Sequence, residues 1–384
     1  MIPAHIFEDT LLGFFAPIRP LLDDPSVSEI MINGPEQIYV ERAGVLERVT
    51  SRFEGREALM AALRNLSQYV GKPLCDQMPI LEGRFPDGSR VEAVMPPVAP
   101  DGPHVSIRRF FKEALTMDRL IALESLTPDA CEALRALVVA KVNVLVAGGT
   151  GSGKTSMLNA LSGFIPDNER VIVIEDSREV QFQKPHVVQL EARPADAKGR
   201  GGTTIRDLFR ATLRMRPDRV VVGEIRGGEA LDIVQAMTSG HGGCMGTLHA
   251  THPHDTLTRL ETMAMMSDVD MPLPAMRAQI GSGVQVIVQV ARHKDGSRKV
   301  THITEVTGFN MSHQRYDMHD LFVRQYAGVT SDNRTVSRLV CTGVEPACKP
   351  QLDACGVRLP DVMRAQHRPP PRDARSHEVA HAVR

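Results

Sequence analysis

The segment Asn143–Leu161, NVLVAGGTGSGKTSMLNAL, decides how the chain is read. It opens on an apolar run, Val144–Ala147, passes through glycines and continues into a helix-like stretch. Within it, Gly148, Gly153, Lys154 and Thr155 satisfy the pattern GxxxxGK[ST]. Glycines let the backbone approach phosphate oxygens, so that N–H groups can point inward. The lysine of this pattern reaches the β- and γ-phosphates, and the hydroxyl after it ligates Mg2+. A helix starting near Gly153 adds its positive N-terminal end. A strand before the motif and a helix after it are the context that separates it from a chance match. The expected phosphate-binding set is Gly148, Gly149, Thr150, Gly151, Ser152, Gly153, Lys154, Thr155 and Ser156.

Outward from this loop, apolar runs at 143–147, 170–174, 187–190, 219–223, 244–248 and 284–290 alternate with helical segments. Short, fully apolar runs separated by helices predict a mostly parallel sheet covered on both faces. The run RVIVIEDSREVQ (170–181) ends in Glu175 and Asp176, at the carboxyl end of its strand. Ligands gather there in open α/β sheets. A carboxylate at that point orients an attacking water, or it is a solvated acidic turn. RPDRVVVGEIRGGEA (216–230) repeats the design with Glu224. That residue fits the second acidic motif of a phosphate-loop enzyme. Glu in place of the usual Asp favours holding Mg2+ through water. Just before it, TTIRDLFRATLRMRPD (203–218) reads as an amphipathic helix closed by Arg216-Pro217. Ile205, Leu208, Phe209 and Leu213 form its apolar side.

SGHGGCMGTLHATHPHD (239–255) holds four histidines. His249, His252 and His254 spell HxxHxH, but Pro253 interrupts them and no helix sets them on one face, so metal is the weaker reading. His249 ends a strand, where it either senses a γ-phosphate or is a satisfied polar strand end. The loop ARPADAKGRGG (192–202) carries Arg193, Lys198 and Arg200 among glycines and reads equally as a lid or as a solvated loop.

Upstream, 25–112 reads as a small α+β domain of short strands around one helix near 57–70. Its last strand, HVSIRRF (104–110), contains Arg108 and Arg109. Alternation puts Arg109 on the face of Val105 and Ile107, and Arg108 opposite with Ser106. Such arginines either reach a neighbouring active site or line a solvated edge. Residues 1–24 read as a helical packing segment and 113–127 as a linker. Thr127-Pro128 starts a helix that opens the main domain, 128–363. The tail 364–384 is polar, basic and proline-rich, the composition of disordered chain.

Composition narrows the partners. The 384 residues carry a formal net charge of −1, no tryptophan and 4% aromatics. That gives neither a global basic field nor a base-stacking surface, so direct nucleic-acid binding is not expected. The six cysteines contain no CxxC pair, and the last three, seven residues apart, match no common zinc spacing. They read as structural or incidental thiols of a reducing compartment. No run approaches the ~18–20 apolar residues of a spanning helix. The start, MIPAHIFEDTLLGFFAPIRPLL, lacks the basic lead of a signal peptide. The expected location is cytoplasmic, with membrane contact through a partner.

Several stretches taken together resemble the type II/IV secretion-system traffic ATPases, most closely the CpaF/TadA branch, and are also similar to conjugal TrbB-type ATPases. They are MINGPEQIYVERAG (31–44), RFPDGSRVEAVMPPVAPDGPHVSIRRF (84–110), GGTGSGKT (148–155), VIVIEDSREVQ (171–181), TIRDLFRATLRMRPDRVVVGEIRGGEALDIVQAM (204–237), GTLHA (246–250) and DGSRKVTHITEV (295–306). The resemblance implies a RecA-like α/β ATPase domain after a small α+β PAS-like N-terminal domain. It implies ATP and Mg2+, and a ring homo-hexamer with nucleotide between the two domains. Lys154 and Thr155 fall on its Walker A positions, Glu175 on the catalytic glutamate of its "Asp box", Glu224 on the Walker B glutamate and His249 on the "His box" histidine. Arg108 and Arg109 fall on N-terminal-domain arginines that approach nucleotide, and Arg214, Arg216 and Arg226 on interface arginines. Departures are a short or missing extra N-terminal segment, Gly243 and Cys244 where relatives carry other small residues, and no tetracysteine zinc motif. The implied activity is ATP hydrolysis driving the inner-membrane platform of a pilus or secretion machine. A conjugation-type machine and a nucleotide-gated scaffold remain as alternatives.

Overall fold

The computed structural model describes residues 4–42, 44–110, 115–195 and 199–363. The chain divides into two compact units, Met1–Glu113 and Ala114–Arg384.

In the first unit, helices α1 (Ala4–Phe14) and α2 (Arg19–Asp23) precede strands β1 (Val27–Asn33), β2 (Ile38–Arg42) and β3 (Val45–Val49). Helix α3 (Arg56–Val70) then leads to β4 (Ile80–Arg84), β5 (Arg90–Val94) and β6 (His104–Arg108). The six strands form one antiparallel sheet in the order β3-β2-β1-β6-β5-β4. Alternation sends Ile30, Ile32, Val91, Ala93, Val105 and Ile107 to one face, where they pack with Leu59, Leu63 and Leu66 of α3. These helix residues recur at the spacing of one helical face. The helix stops at Gly71, which takes φ 70°, a left-handed conformation that glycine adopts without a side-chain clash. The end of α1 and the turn after it are part of this core. Leu11, Phe15 and Ile18 are buried in it, and the Phe15 ring meets Phe85 edge-on at 4.8 Å. Each such side chain contributes roughly 1.5–3 kcal/mol by leaving water.

The second unit opens with α4 (Met117–Ala122) and α5 (Pro128–Val139). The stretch read as a linker, 113–127, therefore contains a helix, held by buried Met117 and Leu120. Thr127 caps α5 by accepting from the Ala130 N–H. There follow β7 (Val144–Gly148), α6 (Lys154–Ser162), β8 (Val171–Glu175), β9 (Val187–Glu191), α7 (Ile205–Thr212), β10 (Arg219–Val222), α8 (Glu229–Thr238) and β11 (Met245–His249). Then come α9 (Pro253–Ala264), α10 (Leu273–Gly283), β12 (Val286–Arg292), β13 (Arg298–Asn310), β14 (Arg315–Val329), β15 (Thr335–Cys341) and α11 (Lys349–Ala354). The sheet order is β15-β14-β13-β12-β7-β11-β10-β8-β9. From β12 to β9 every pair is parallel, and β12 to β15 pair antiparallel.

All six apolar runs are strands of the parallel part, and the near-continuous apolarity of the five inner ones has a direct cause. Val144, Val146, Val171, Val173 and Val221 join a core with Leu134, Leu137, Leu158 and Leu161 of α5 and α6. Leu145, Ala147, Ile174, Val220 and Val222 join another with Phe209, Leu231, Val234 and Leu257 of α7, α8 and α9. A strand covered on both faces has no polar side to show. Helix α7 begins with a Thr204–Asp207 capping box and ends at Thr212, one turn short of the Arg216-Pro217 stop. Arg219, at the start of β10, is fully buried and pairs with Glu169 at 2.5 Å. Beyond β15, the buried Glu305 carboxylate accepts the Ala347 and Cys348 N–H groups, both at 2.7 Å, and so fastens the segment leading into α11. The six cysteines are unbridged. Among the described residues no helix is long and apolar enough to cross a membrane. The tail 364–384, apart from its place in sequence, lies outside the described residues.

Candidate nucleotide site

The parallel strands bring the expected residues of the second unit to one end of the sheet. In register, Gly148 at the end of β7 faces His249 of β11 on one side and Val290 of β12 on the other. Ile174, just before Glu175, pairs with Val222 of β10, two residues before Glu224. The carboxyl ends of five neighbouring strands thus converge, where an open α/β sheet binds ligands.

The loop has the shape its glycines permit. A Cβ on Gly148 would stand 2.4 Å from both Ser152 Oγ and the Val290 carbonyl oxygen, so the position admits only glycine. Gly151 and Gly153 take φ values of 67° and 93°, which other residues rarely adopt. Around Gly149 no atom would come within 4 Å of an added Cβ, which marks an open side. Its carbonyl gathers Ser152 Oγ at 2.8 Å and Lys154 Nζ at 3.1 Å. The Lys154 ammonium also lies 3.4 Å from both ring nitrogens of His249. Thr155 and Ser156 follow in the first turn of α6.

Beside Lys154 runs a chain of charged groups. His249 Nε2 is 2.6 Å from Glu224 Oε1, and Glu224 Oε2 accepts from Arg226 Nε at 2.8 Å. Arg226 Nη1 donates to Asp176 Oδ2 at 2.5 Å. Burial, with the nearby Lys154 charge, pushes the His249 pKa below its ordinary value against the pull of Glu224. That shift favours the neutral imidazole. Gly223 is tied on both sides, its N–H to the Ile174 carbonyl and its carbonyl to Thr247 Oγ1 at 2.6 Å.

Glu175 stands in a different environment. It is 3% exposed. Its Oε1 accepts the Glu179 and Val180 N–H groups, both at 2.8 Å. Burial raises its pKa to about 7, overriding those two donors, and the neighbouring Glu179 and Asp176 charges push the same way. A Cβ on Gly223 would come 2.7 Å from Glu175 Cγ, so that glycine makes room for the carboxylate.

The two arginines of the first unit part ways as strand alternation predicts. Arg109 turns inward. Its Nη1 donates to the Leu21 carbonyl at 2.9 Å, its Nε is 4.0 Å from Asp87, and its side chain is 10% exposed. Its guanidinium is thus engaged within its own unit. Arg108 is exposed on the opposite face, beside Glu29, Arg90 and Ser106.

The histidine-rich stretch is divided between β11 and α9. His252 opens α9, its N–H bonded to Asp255, and His254 lies within that helix. Among the described residues no group of three His, Cys, Asp or Glu could hold a metal ion. Magnesium is commonly bound through one or two carboxylates together with substrate phosphates. Thr155 and Glu224, at the rim of a loop whose glycines leave space for phosphate, fit that need. Of the glycine-rich loop 192–202, Arg193 exchanges both backbone bonds with Thr203 at 2.8 Å, while Asp196, Ala197 and Lys198 lie outside the described residues. Arg214 and Arg216 are exposed after α7.

Two residues beside the loop were missed as site residues. Arg292 and Arg298, at the facing ends of β12 and β13, both approach Gly151. Arg298 falls within DGSRKVTHITEV (295–306), a stretch that carried the resemblance but no site reading.

Residues 14–335 match the family described as Type II/IV secretion system protein. The type IV secretion system protein VirB11 of Brucella suis is 33% identical over 320 residues, covering 76% of this chain and 88% of that protein. The conjugal transfer protein TrbB of Rhizobium radiobacter is 30% identical over 299 residues, covering 76% and 87%. The solved structure of the Legionella pneumophila ATPase DotB aligns with a TM-score of 0.54 at 20% identity, over 80% of this chain and 81% of that one, a likeness of fold. The chain belongs to the type II/IV secretion system protein family.

Proposed function

We propose that the protein hydrolyses ATP as a ring homo-hexamer and so powers a pilus or secretion machine, in the manner of the CpaF/TadA branch. It would act at the cytoplasmic face of the inner membrane, through a platform protein embedded there and without binding nucleic acid directly. The observation that carries the reading is the convergence of Lys154, His249 and Glu224 around the glycine loop, with Glu175 buried on the adjacent strand.

In this reading the loop 148–156 cradles the phosphates of ATP, and Lys154 neutralises their charge. Thr155 and Glu224 hold Mg2+, partly through water. When bound, that ion neutralises charge developing on the β- and γ-oxygens. Glu175 takes the proton of the attacking water, a task suited to a base that ionises near pH 7. Neutral His249 contacts the γ-phosphate, and Arg108 is the N-terminal arginine that stabilises charge. Residues 25–112 and 128–363 are the two working domains, and hydrolysis moves one against the other. Lys154→Ala should abolish phosphate release while the circular dichroism spectrum stays that of the parent. Parent-like turnover in that variant would sink the assignment.

A second reading changes the cargo. The similarity to a conjugal transfer protein and to VirB11 favours a conjugation-type or type IV secretion machine that moves nucleoprotein or protein. Identifying the membrane protein that co-purifies and stimulates turnover separates the two: a pilus platform or a conjugation channel.

A further inference from the structure

The outer side of the phosphate loop is held by a hairpin to which the nucleotide reading gives no task. His293 and Ser297 close its turn through the His293 N–H and Ser297 carbonyl at 2.8 Å. Asp295 at its tip accepts from the Ser297 N–H at 2.9 Å and from the Thr335 N–H of β15 at 2.7 Å. The hairpin is therefore anchored to the antiparallel extension. From its second strand, Arg298 turns to the loop, and its Nε donates to the Gly151 carbonyl at 2.8 Å. Its Cδ lies 3.4 Å from the point a Cβ on Gly153 would occupy, and Arg292 Nη1 comes equally close to that of Gly151. The backbone from which Arg298 reaches is itself pinned, its carbonyl accepting Ser125 Oγ at 2.6 Å.

Gly151 sits at φ 67°, and a glycine has no side chain to hold it there. Its peptide with Ser152 is planar and trans, so the carbonyl and the Ser152 N–H point in opposite directions. An arginine that fixes the carbonyl outward thereby fixes the Ser152 N–H inward. The inward N–H makes only a long contact, 3.4 Å, to the Gly149 carbonyl. A donor so weakly engaged is available to a phosphate oxygen. Charge-assisted hydrogen bonds are the stronger kind, suited to holding a flexible loop in one shape.

We propose that Arg298 is a positioning residue for phosphate binding: by clasping the Gly151 carbonyl it pre-forms the loop and ties it to the β13–β15 extension. This rests on the reading of the loop as a nucleotide site. The test is calorimetric binding of Mg-ADP and of Mg-pyrophosphate to the full chain, the parent beside Lys154→Ala, Arg298→Ala and Arg298→Lys. Arg298→Ala should weaken both ligands about tenfold, the loss of one charge-assisted bond at roughly 1.4 kcal/mol per decade. The side chain is exposed, so the ligand-free melting temperature should stay close to the parent. Arg298→Lys keeps a donor and should recover part of the affinity, and in turnover KM should rise with little change in kcat. Unchanged Mg-ADP affinity in Arg298→Ala overturns the proposal. So does a lowered melting temperature without an affinity change, or a loss for ADP with none for pyrophosphate. If Lys154→Ala also binds and hydrolyses like the parent, the nucleotide reading itself has failed. If Lys154→Ala loses function while Arg298→Ala does not, only the present inference falls.

Discussion

Replacing Glu175 with Gln should make the protein more stable at alkaline pH while stopping hydrolysis, and the structure sets the size of the effect. The carboxyl ordinarily ionises near 4.5, and in the folded chain burial raises that to about 7. Below pH 4.5 both folded and unfolded forms are protonated, and the group costs nothing. Between 4.5 and about 7 the unfolded chain has released its proton while the folded one holds it, so stability falls as pH rises. Above 7 the cost is complete. At about 1.4 kcal/mol per pH unit it amounts to about 3 kcal/mol. Gln keeps an oxygen to accept the Glu179 and Val180 N–H groups but carries no charge to desolvate. The variant should therefore match the parent near pH 5 and melt higher at pH 8.5, by several degrees at roughly 2–4 °C per kcal/mol. Melting curves of both proteins from pH 5 to 8.5, with phosphate release measured alongside, give the answer. A melting difference that does not change with pH, or that favours the parent at pH 8.5, would refute the argument from burial. The same ionisation predicts that parent turnover climbs as pH rises through about 7.

Gly148→Ala puts a methyl 2.4 Å from the Val290 carbonyl, a backbone atom of the adjacent strand that cannot step aside. Mg-ADP affinity should fall more than about tenfold, with overpacking costing roughly 1–3 kcal/mol of stability; parent-like affinity by calorimetry would show that the loop yields. Arg219→Ala removes the fully buried partner of Glu169, whose remaining cation, Lys141, is 3.7 Å away. Urea unfolding should show a loss of about 3 kcal/mol, the low end for breaking a buried pair, and a loss under about 1 kcal/mol would mean that Lys141 compensates.

The parallel half of the second unit was legible because burial on both faces leaves an unambiguous imprint. Runs such as Val144–Ala147 and Val220–Val222 have no polar side, and their spacing by helices admits one sheet type. The antiparallel extension was not legible as strands. Strand β13 carries register shifts at Ile303/Thr304 and Val306/Gly308, and β14 one near Gly328, so strict alternation breaks within each strand. The depth of the N-terminal helix was also hidden. Leu11, Phe15 and Ile18 look like a short apolar patch until α3 and Phe85 close over them. At the candidate site, local motifs point to Lys154, Glu175, Glu224 and His249, which the sheet brings to one end. The commitment of Arg109 to the Leu21 carbonyl, 88 residues earlier, could not be read from a strand pattern. Nor could the reach of Arg298 across 147 residues to Gly151.

In the proposed hydrolysis either of two carboxylates at the ends of neighbouring strands could be the base, and their surroundings favour Glu175. Glu224 is hemmed by cations and donors: Arg226 holds one oxygen, and His249, itself touched by Lys154, stands at the other. A carboxylate so engaged on both oxygens is held in place, which suits an outer-sphere partner of Mg2+ in the proposed reaction. Glu175 has no cation among its contacts and two acidic neighbours, Asp176 and Glu179, in its field. Its proton affinity is set by burial, and it falls where a base must sit to work near neutral pH. Arg226 sharpens the division, since it draws Asp176 and Glu224 into one charge network and leaves Glu175 outside it. Arg226→Ala would release Glu224 and Asp176 from that network and should slow phosphate release, while the pH at which turnover climbs, set by Glu175, stays near 7. A pH–rate profile displaced in Arg226→Ala would show that the network reaches Glu175 after all.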